Sequence, residues 1–358
     1  MTTFIPLTVT SVQRETRNAV VLGLKVPDEH RSNFRFRPGQ YLTFRRIIDG
    51  EEVRRSYSIC SATQDDGLRV GIKKVDEGLF STWANEQLEP GERIEAMVPA
   101  GSFHVPLDAN NHRHYAGFAC GSGITPLLSI LKTTLIAEPH SRFTLFYGNR
   151  ASSTIMFREE LEDLKNEHLG RFNMVHILSR EQQDIDLFNG HIDREKCARL
   201  FQHWLDVSTV DVAFICGPQE MMLETSEALQ AHGMDKSHIK FELFATDAAR
   251  HSSRRAKKAP SASKASRCEA TVVIDGRSQS LELEKNKQTV LEAGLEKGLE
   301  LPYACKAGVC STCRAMLTEG EVDMDVNFAL EDYEVDRGYI LTCQSYPVSD
   351  KIVVDYDQ

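Results

Sequence analysis

Four of the nine cysteines fall into one pattern: Cys305-x4-Cys310-x2-Cys313, then Cys343 beyond a gap of twenty-nine residues. Three thiolates from one tight loop and a fourth from a distant segment are the ligand set of a two-iron, two-sulfide cluster. The loop is built of small residues (Ala304, Ala307, Gly308, Ser311, Thr312). Backbone N–H groups can therefore approach the sulfides and tune their redox chemistry. A tetrathiolate zinc site is the alternative. It usually shows two separated C-x2-C pairs, and this chain has one. The other five cysteines (Cys60, Cys120, Cys197, Cys216, Cys268) are scattered, and Cys268 reads as an idle thiol. An odd count of thiols without an evident secretory leader fits a reducing cytosol, where clustered cysteines hold metal more often than they form structural disulfides.

Two further constellations are weaker taken singly. Arg55-Ser56-Tyr57-Ser58 sits on a predicted strand, where the period of two projects Arg55 and Tyr57 from one face. A cation beside an aromatic ring suits a stacked planar ligand that carries a phosphate, although an exposed Arg beside a half-buried Tyr is also ordinary strand chemistry. Gly78-Leu79-Phe80-Ser81 precedes a predicted helix at Thr82–Gln87. A turn that opens a helix offers free N–H groups to an anion, while simple capping by Ser81 is the plainer reading. Then come four turns: Gly121-Ser122-Gly123-Ile124-Thr125-Pro126, Tyr147-Gly148-Asn149-Arg150, Ser179-Arg180 and Cys216-Gly217-Pro218. Each follows a predicted strand, at the carboxyl ends where open α/β sheets bind ligands. The first is an incomplete dinucleotide fingerprint, with Pro126 where a third glycine belongs, so tight-turn glycines remain an alternative for it.

The elements that must position these residues change character along the chain. Residues 1–105 offer short β-rich runs (Leu7–Val12, Ala19–Val26, Tyr41–Phe44, Ser56–Ser61, Leu68–Lys73, Arg93–Val98), separated by turn pairs such as Pro38-Gly39 and Pro90-Gly91. That texture predicts an antiparallel barrel. Residues 106–244 alternate strands with helices. Strands are expected at His114–Ala119, Arg142–Tyr147, Asn173–Leu178 and Val212–Cys216. Helices are expected at Pro126–Ala137 (with Thr125 as N-cap), Met156–Glu167 and Gln219–Ala231. This is a βαβ series with a parallel sheet. Residues 245–267 read as a basic flexible linker, and 268–358 as a small C-terminal domain carrying eighteen acids and eight bases.

Composition removes several function classes. Hydrophobic residues make up 41% and charged residues 26% of the 358, so the chain has material for packed cores. No run approaches the ~18 apolar residues of a membrane span. The net charge of −10 disfavours a general nucleic-acid or anionic-membrane binder. A cytoplasmic location is expected, with no nucleic acid or membrane among the partners.

With these residues in view, 268–358 resembles a plant-type ferredoxin domain, including Leu301-Pro302-Tyr303-Ala304-Cys305 and Leu341-Thr342-Cys343-Gln344. The resemblance implies a β-grasp (α+β) fold and the four cysteines as ligands. Residues 1–245 resemble the ferredoxin–NADP reductase superfamily in the order Arg55-x-Tyr57-Ser58, Gly78-x-x-Ser81, Gly121-x-Gly123-Ile124-Thr125-Pro126 and Cys216-Gly217-Pro218, closing on Phe241-Glu242-Leu243-Phe244. That similarity implies FAD contacts from Arg55, Tyr57, Ser58, Ile72, Lys73, Gly78 and Ser81. It puts Gly121, Gly123, Thr125, Gly217 and Pro218 around the nicotinamide nucleotide, and Phe244 near the flavin ring or, alternatively, in a core. The whole layout is similar to the reductase subunits of bacterial phenylacetyl-CoA epoxidases, a cytosolic family of phenylacetate catabolism that passes electrons from NADPH to a diiron oxygenase. The expected fold is therefore multidomain: an antiparallel β-barrel FAD domain, an α/β parallel-sheet NAD(P) domain and a 2Fe–2S ferredoxin domain. The cofactors implied are FAD, a 2Fe–2S cluster and NADPH or NADH. Arg150 and Arg180 are the cations expected at a 2′-phosphate. Gly190-His191 stands where the family often has an arginine after the glycine.

The three sites explain one another. A nicotinamide gives up two electrons as a hydride, a 2Fe–2S cluster accepts one, and a flavin does both. Positioning is the protein's task. No acid–base pair or nucleophile is required, and none of the twelve histidines is assigned a catalytic role. The partner implied is the oxygenase complex of a multicomponent monooxygenase. Two alternatives stay open: another acceptor, such as a Rieske dioxygenase or a hybrid-cluster protein, and a redox carrier or sensor with a vestigial nucleotide half. The acids Glu319, Glu321, Asp323, Asp325, Glu331, Asp332, Glu334 and Asp336 are expected either to steer basic partners or simply to confer solubility.

Overall fold

The computed structural model of the chain describes residues 3–244 and 267–358. The basic linker expected at 245–267 lies outside the described residues, except for Arg267, which is already the first residue of a strand. The described residues form two compact units. One is Ile5–Val53 with Tyr57–Phe244; the other is residues 267–358 with residues 3–4 and Arg54–Ser56.

In the larger unit β1 (Ile5–Thr16), β2 (Ala19–Lys25), β3 (Tyr41–Ile48), β4 (Glu51–Ser58), β5 (Leu68–Lys73) and β6 (Arg93–Ala96) form an antiparallel sheet in the order β4-β3-β6-β1-β2-β5. The sequence places a strand at Ser56–Ser61, but β4 stops at Ser58 because Ile59 leaves the ladder to bridge Val70. That bridge brings the two edges of the sheet together and closes the barrel. Helix α1 (Leu79–Glu86) lies against it and starts three residues earlier than expected. Gly78 is its N-cap, so Ser81 belongs to the first turn.

The strands β7 (His114–Cys120), β8 (Arg142–Asn149), β9 (Phe172–Leu178), β10 (Val212–Cys216) and β11 (Ile239–Glu242) make a parallel sheet ordered β11-β10-β7-β8-β9. The helices between them are α2 (Ile124–Ala137), α3 (Arg158–Glu167), α4 (Arg194–His203) and α5 (Gln219–Ala231). The order reverses between β7 and β10, which is where such sheets bind ligands. Thr125 is not the N-cap of α2. A tight turn at Gly121–Gly123 runs straight into the helix, Gly123 holds the cap position, and the Thr125 hydroxyl donates to the Ser122 carbonyl at 2.9 Å. Helix α3 begins at Arg158 rather than Met156, because Phe157 takes a left-handed conformation with φ 57° and its N–H donates to Glu15 on β1.

The barrel and the α/β half share packing because β2 is buried on both faces. Val20, Leu22 and Leu24 enter the barrel core, while Ala19 and Val21 join the core formed by α2 and the parallel sheet. One wall serves two layers.

In the smaller unit β12 (Arg267–Ile274), β13 (Arg277–Glu284), β14 (Arg314–Glu319), β16 (Tyr339–Leu341) and β18 (Lys351–Asp355) form a sheet ordered β13-β12-β18-β14-β16. Only the β12–β18 pair is parallel. Helix α6 (Val290–Glu296) covers it, helix α7 (Asp332–Asp336) precedes β16, and β15 (Val322–Met324) pairs with β17 (Ser345–Pro347). This mixed sheet with one covering helix is a β-grasp arrangement. A capping box at Thr289 and Glu292 fixes the start of α6. Cys268 is a wholly buried core side chain of β12.

Candidate functional site

The four patterned cysteines lie at one end of the smaller unit. Cys305, Cys310 and Cys313 occupy the loop between α6 and β14, and Cys343 follows β16; each is at most 7% exposed. Cys310 Sγ donates to Cys305 Sγ at 3.1 Å, and the Ala307 N–H donates to the same sulfur at 3.3 Å. The Cys305 thiol is held well below the usual range by hydrogen bonds from Cys310 and Cys343, then by the N–H groups of Ala307 and Val309, against the opposing effect of burial. The loop's tightness needs glycine at 308: φ is +71°, and a Cβ there would stand 2.5 Å from the Val326 carbonyl. Among the described residues no three His, Cys, Asp or Glu side chains are arranged around a single metal ion. Four buried thiols drawn together on a small-residue loop with N–H groups aimed at sulfur fit a 2Fe–2S cluster, in which each iron takes two protein thiolates.

In the larger unit Tyr57 and Ser58 end β4, Ile72 and Lys73 end β5, and Gly78 and Ser81 open α1, whereas Arg55 belongs to the smaller unit. The half-buried Tyr57 packs its ring against Phe80 at 5.5 Å and Phe44 at 6.2 Å between centroids. The Arg55 guanidinium donates to the Arg54 carbonyl at 2.8 Å. Ile72 is a barrel-core side chain whose carbonyl accepts from Asn85 at 3.1 Å. Ser81 is buried. Its hydroxyl donates to the Gly78 carbonyl at 3.1 Å and accepts from the Val75 N–H at 3.2 Å, so it closes the turn from within. A Cβ at Gly78 would meet Val75 Cγ2 at 2.4 Å.

The nucleotide turns all lie along the carboxyl edge of the parallel sheet. Gly123 must be glycine because a Cβ would stand 2.1 Å from the Cys216 carbonyl. This close approach packs the start of α2 onto the end of β10, beside Gly217 and Pro218. Arg150 follows β8 directly and Arg180 lies two residues past β9; both are exposed and are joined by a 2.7 Å hydrogen bond from the Arg180 N–H to the Arg150 carbonyl. Phe244 is half-buried and packs against the α2 core.

Comparison with known proteins agrees with this layout. Family models described as oxidoreductase FAD-binding domain, oxidoreductase NAD-binding domain and 2Fe-2S iron-sulfur cluster binding domain match residues 6–105, 118–227 and 272–348. The chain is 42% identical over 357 residues to a subunit of the 1,2-phenylacetyl-CoA epoxidase of Escherichia coli (strain K12), covering 100% of this chain and 99% of that one. The chain belongs to the family of that epoxidase component. It is also 31% identical over 98% of its length to the ferredoxin reductase component of 3-ketosteroid-9-alpha-monooxygenase from Rhodococcus rhodochrous, of which it covers 96%. Among solved structures, phthalate dioxygenase reductase shares the fold with a TM-score of 0.59 at 23% identity, with 98% of each chain covered. An intact type IV self-sufficient cytochrome P450 monooxygenase does so with a TM-score of 0.71 at 20% identity, over 98% of this chain and 41% of that longer one. Like its family, the chain is an oxidoreductase with FAD-binding, NAD-binding and 2Fe–2S domains, an electron-transfer reductase component of an oxygenase system. Among the described residues no helix is long and apolar enough to cross a membrane.

This reductase architecture also gives Glu242 and Tyr147 roles that the sequence motifs containing them did not assign. Ser58 donates to Glu242 Oε2 at 3.1 Å, joining the end of β4 to the end of β11. Burial pushes the Glu242 carboxyl up to about 8, with the Ser58 hydrogen bond acting the other way. The signal was one acid in the apolar run Phe241–Phe244. Tyr147, fully buried, donates to the Gly121 carbonyl at 2.9 Å and accepts from the Met156 N–H at 3.3 Å, anchoring the dinucleotide turn. Lys73, read as a flavin contact, has its ammonium beside Gly121 on the nucleotide edge. Its pKa is lowered by burial and by the charge of Arg150.

Proposed function

We propose that the chain oxidises NADPH and delivers single electrons, through FAD and a 2Fe–2S cluster, to the oxygenase that epoxidises phenylacetyl-CoA in the cytoplasm. The observation that carries this reading is the 42% identity to the phenylacetyl-CoA epoxidase component across the whole chain, against 31% to the ketosteroid monooxygenase reductase. Bound to these residues, FAD supplies hydride acceptance from nicotinamide and release of single electrons, and the cluster supplies one-electron storage.

The chain's own residues bind and orient. Tyr57 offers a ring face braced by Phe80 and Phe44, and Arg55 a guanidinium for a phosphate. Ser58 presents a hydroxyl whose direction is set by Glu242, and that carboxyl keeps its proton up to about pH 8. Gly78 and the first N–H groups of α1 leave a turn open to an anion. Gly121, Gly123 and Thr125, with Gly217 and Pro218, leave room for a nicotinamide at the switch point. Lys73, Arg150 and Arg180 gather cations along the same edge, which favours a 2′-phosphorylated nucleotide. Cys305, Cys310, Cys313 and Cys343 hold the irons.

Anaerobic stopped-flow mixing tests the reading. Without air, NADPH bleaches the flavin faster than NADH; in a separate assay with dioxygen present, adding the epoxidase oxygenase component with phenylacetyl-CoA consumes NADPH. A flavin that stays oxidised with both nucleotides refutes reductase activity; rapid bleaching without turnover of that oxygenase points to another acceptor.

A further inference from the structure

The residue after the last cysteine is a buried amide. Gln344 is 5% exposed, and burying a carboxamide is costly unless its polar atoms find partners. Its Nε2 donates to the Lys306 carbonyl at 3.2 Å and to the Cys343 carbonyl at 3.0 Å. The same nitrogen lies 3.7 Å from Cys343 Sγ, so one of its two hydrogens is shared between the Cys343 carbonyl and that sulfur. Lys306 directly follows Cys305 and holds a left-handed backbone, with φ 53°. A non-glycine residue keeps that conformation only when its surroundings hold it there. The Gln344 side chain is one of those surroundings, and it packs against Gly308 of the same loop: a Cβ there would be 3.1 Å from Gln344 Cγ. One amide thus ties the three-cysteine loop to the segment of the fourth cysteine, thirty-eight residues apart in sequence, while offering hydrogen to a ligand sulfur.

We propose that Gln344 is a positioning residue for the cluster, and that its N–H to Cys343 Sγ sets the cluster's reduction potential. The proposal rests on the reading of the four cysteines as cluster ligands. A donor at a ligand sulfur stabilises the added negative charge of the reduced state more than the oxidised state, so removing it makes the cluster a poorer electron acceptor.

The test uses the full-length holoprotein, purified without air, as wild type, Gln344→Met and Gln344→Glu. Iron, sulfide and FAD are quantified first, and the cluster is then titrated by electron paramagnetic resonance. At a fixed poise the reduced-to-oxidised ratio is expected to fall about tenfold in Gln344→Met, equal to about 59 mV for one electron. It falls further in Gln344→Glu, while the flavin midpoint stays in place. An unchanged or raised cluster midpoint at full iron occupancy overturns the proposal. Should the variants assemble no cluster, wild type labelled with side-chain 15N-glutamine decides: pulsed resonance shows a 15N coupling to the reduced cluster, and its absence refutes the donor. Wild type without iron and sulfide instead sinks the cluster reading itself, whatever Gln344 does.

Discussion

Glu242 couples one side chain to pH. Its carboxyl ordinarily titrates at 4.5 and is raised to about 8 in the fold by burial. The folded state therefore holds this proton more tightly than the unfolded state, and the stability it contributes is complete below 4.5 and drains away as pH rises towards 8. Thermal unfolding of the holoprotein should show wild type losing ground to Glu242→Gln between about pH 5 and 8. A gap between the two melting temperatures that does not vary with pH contradicts the assignment. Arg150 and Arg180 set a second prediction. A charge-assisted bond to phosphate contributes about 1.5–3 kcal/mol, so replacing either with Ala should raise KM for NADPH roughly 10- to 100-fold and leave NADH little changed. Equal losses with both nucleotides would mean that the arginines do not read the 2′-phosphate. The contrast in legibility is physical. Three cysteine ligands sit within nine residues of sequence, so their spacing alone is informative. Ser58 and Glu242 are 184 positions apart and meet only because the barrel and the parallel sheet pack together.

At the level of elements, the loop between β4 and β5, strand β5 itself, and helices α2 and α3 are pinned by one ion-pair network. Lys132 on α2 bonds Asp65 at 2.7 Å and Glu160 on α3 at 2.8 Å, and Glu160 also bonds Arg69 on β5 at 2.7 Å. The Lys132 side chain is only 13% exposed, so breaking it leaves two poorly hydrated carboxylates. Helix α2 carries the turn of Gly121 and Gly123, so the network sets where the nucleotide edge stands relative to the barrel. Lys132→Met should cost about 2 kcal/mol of stability, between the exposed and buried limits for ion pairs. It should also slow flavin reduction by NADPH roughly tenfold through misplacement. Lys132→Arg should recover much of that rate. A reduction rate untouched by Lys132→Met would make the network purely structural. The alternation of β7, α2 and β8 is readable from sequence because those elements are nearly all apolar. Helix α4 and strand β11 are not: α4 buries little beyond Cys197, Leu200 and Phe201 among charged residues, and β11 buries only Ile239 fully. Tertiary packing, not pattern, decides both.

Across the whole molecule, charge is distributed very unevenly. Residues 1–267 carry thirty-four acids and thirty-four bases, so the entire net charge of −10 falls on residues 268–358. The described structure refines the acidic set expected there. Glu334 is buried and salt-bridged to Arg314 at 2.6 Å, where it also helps cap α7, so it does not belong to a solvent-facing field. Glu319, Glu321, Asp323, Asp325, Asp332 and Asp336 remain exposed, and Glu331 is half-buried. A field of one sign confined to the iron–sulfur end accelerates encounter with a basic acceptor surface, and it fades as salt shortens the Debye length from about 10 Å at 0.1 M to about 3 Å at 1 M. Flavin reduction, expected on residues 1–244 with their thirty-three acids and twenty-seven bases, needs no docking to the acceptor and gains little from that field. Raising ionic strength over this range should therefore slow electron delivery to the oxygenase at limiting acceptor by roughly tenfold or more, and change flavin bleaching by NADPH far less. Charge reversal at Asp323 and Asp325 should flatten the salt dependence of delivery without altering the cluster's spectrum. If delivery by the unaltered protein is equally fast at both ends of the salt range, the acidity of this end serves solubility and acceptor choice rests on shape.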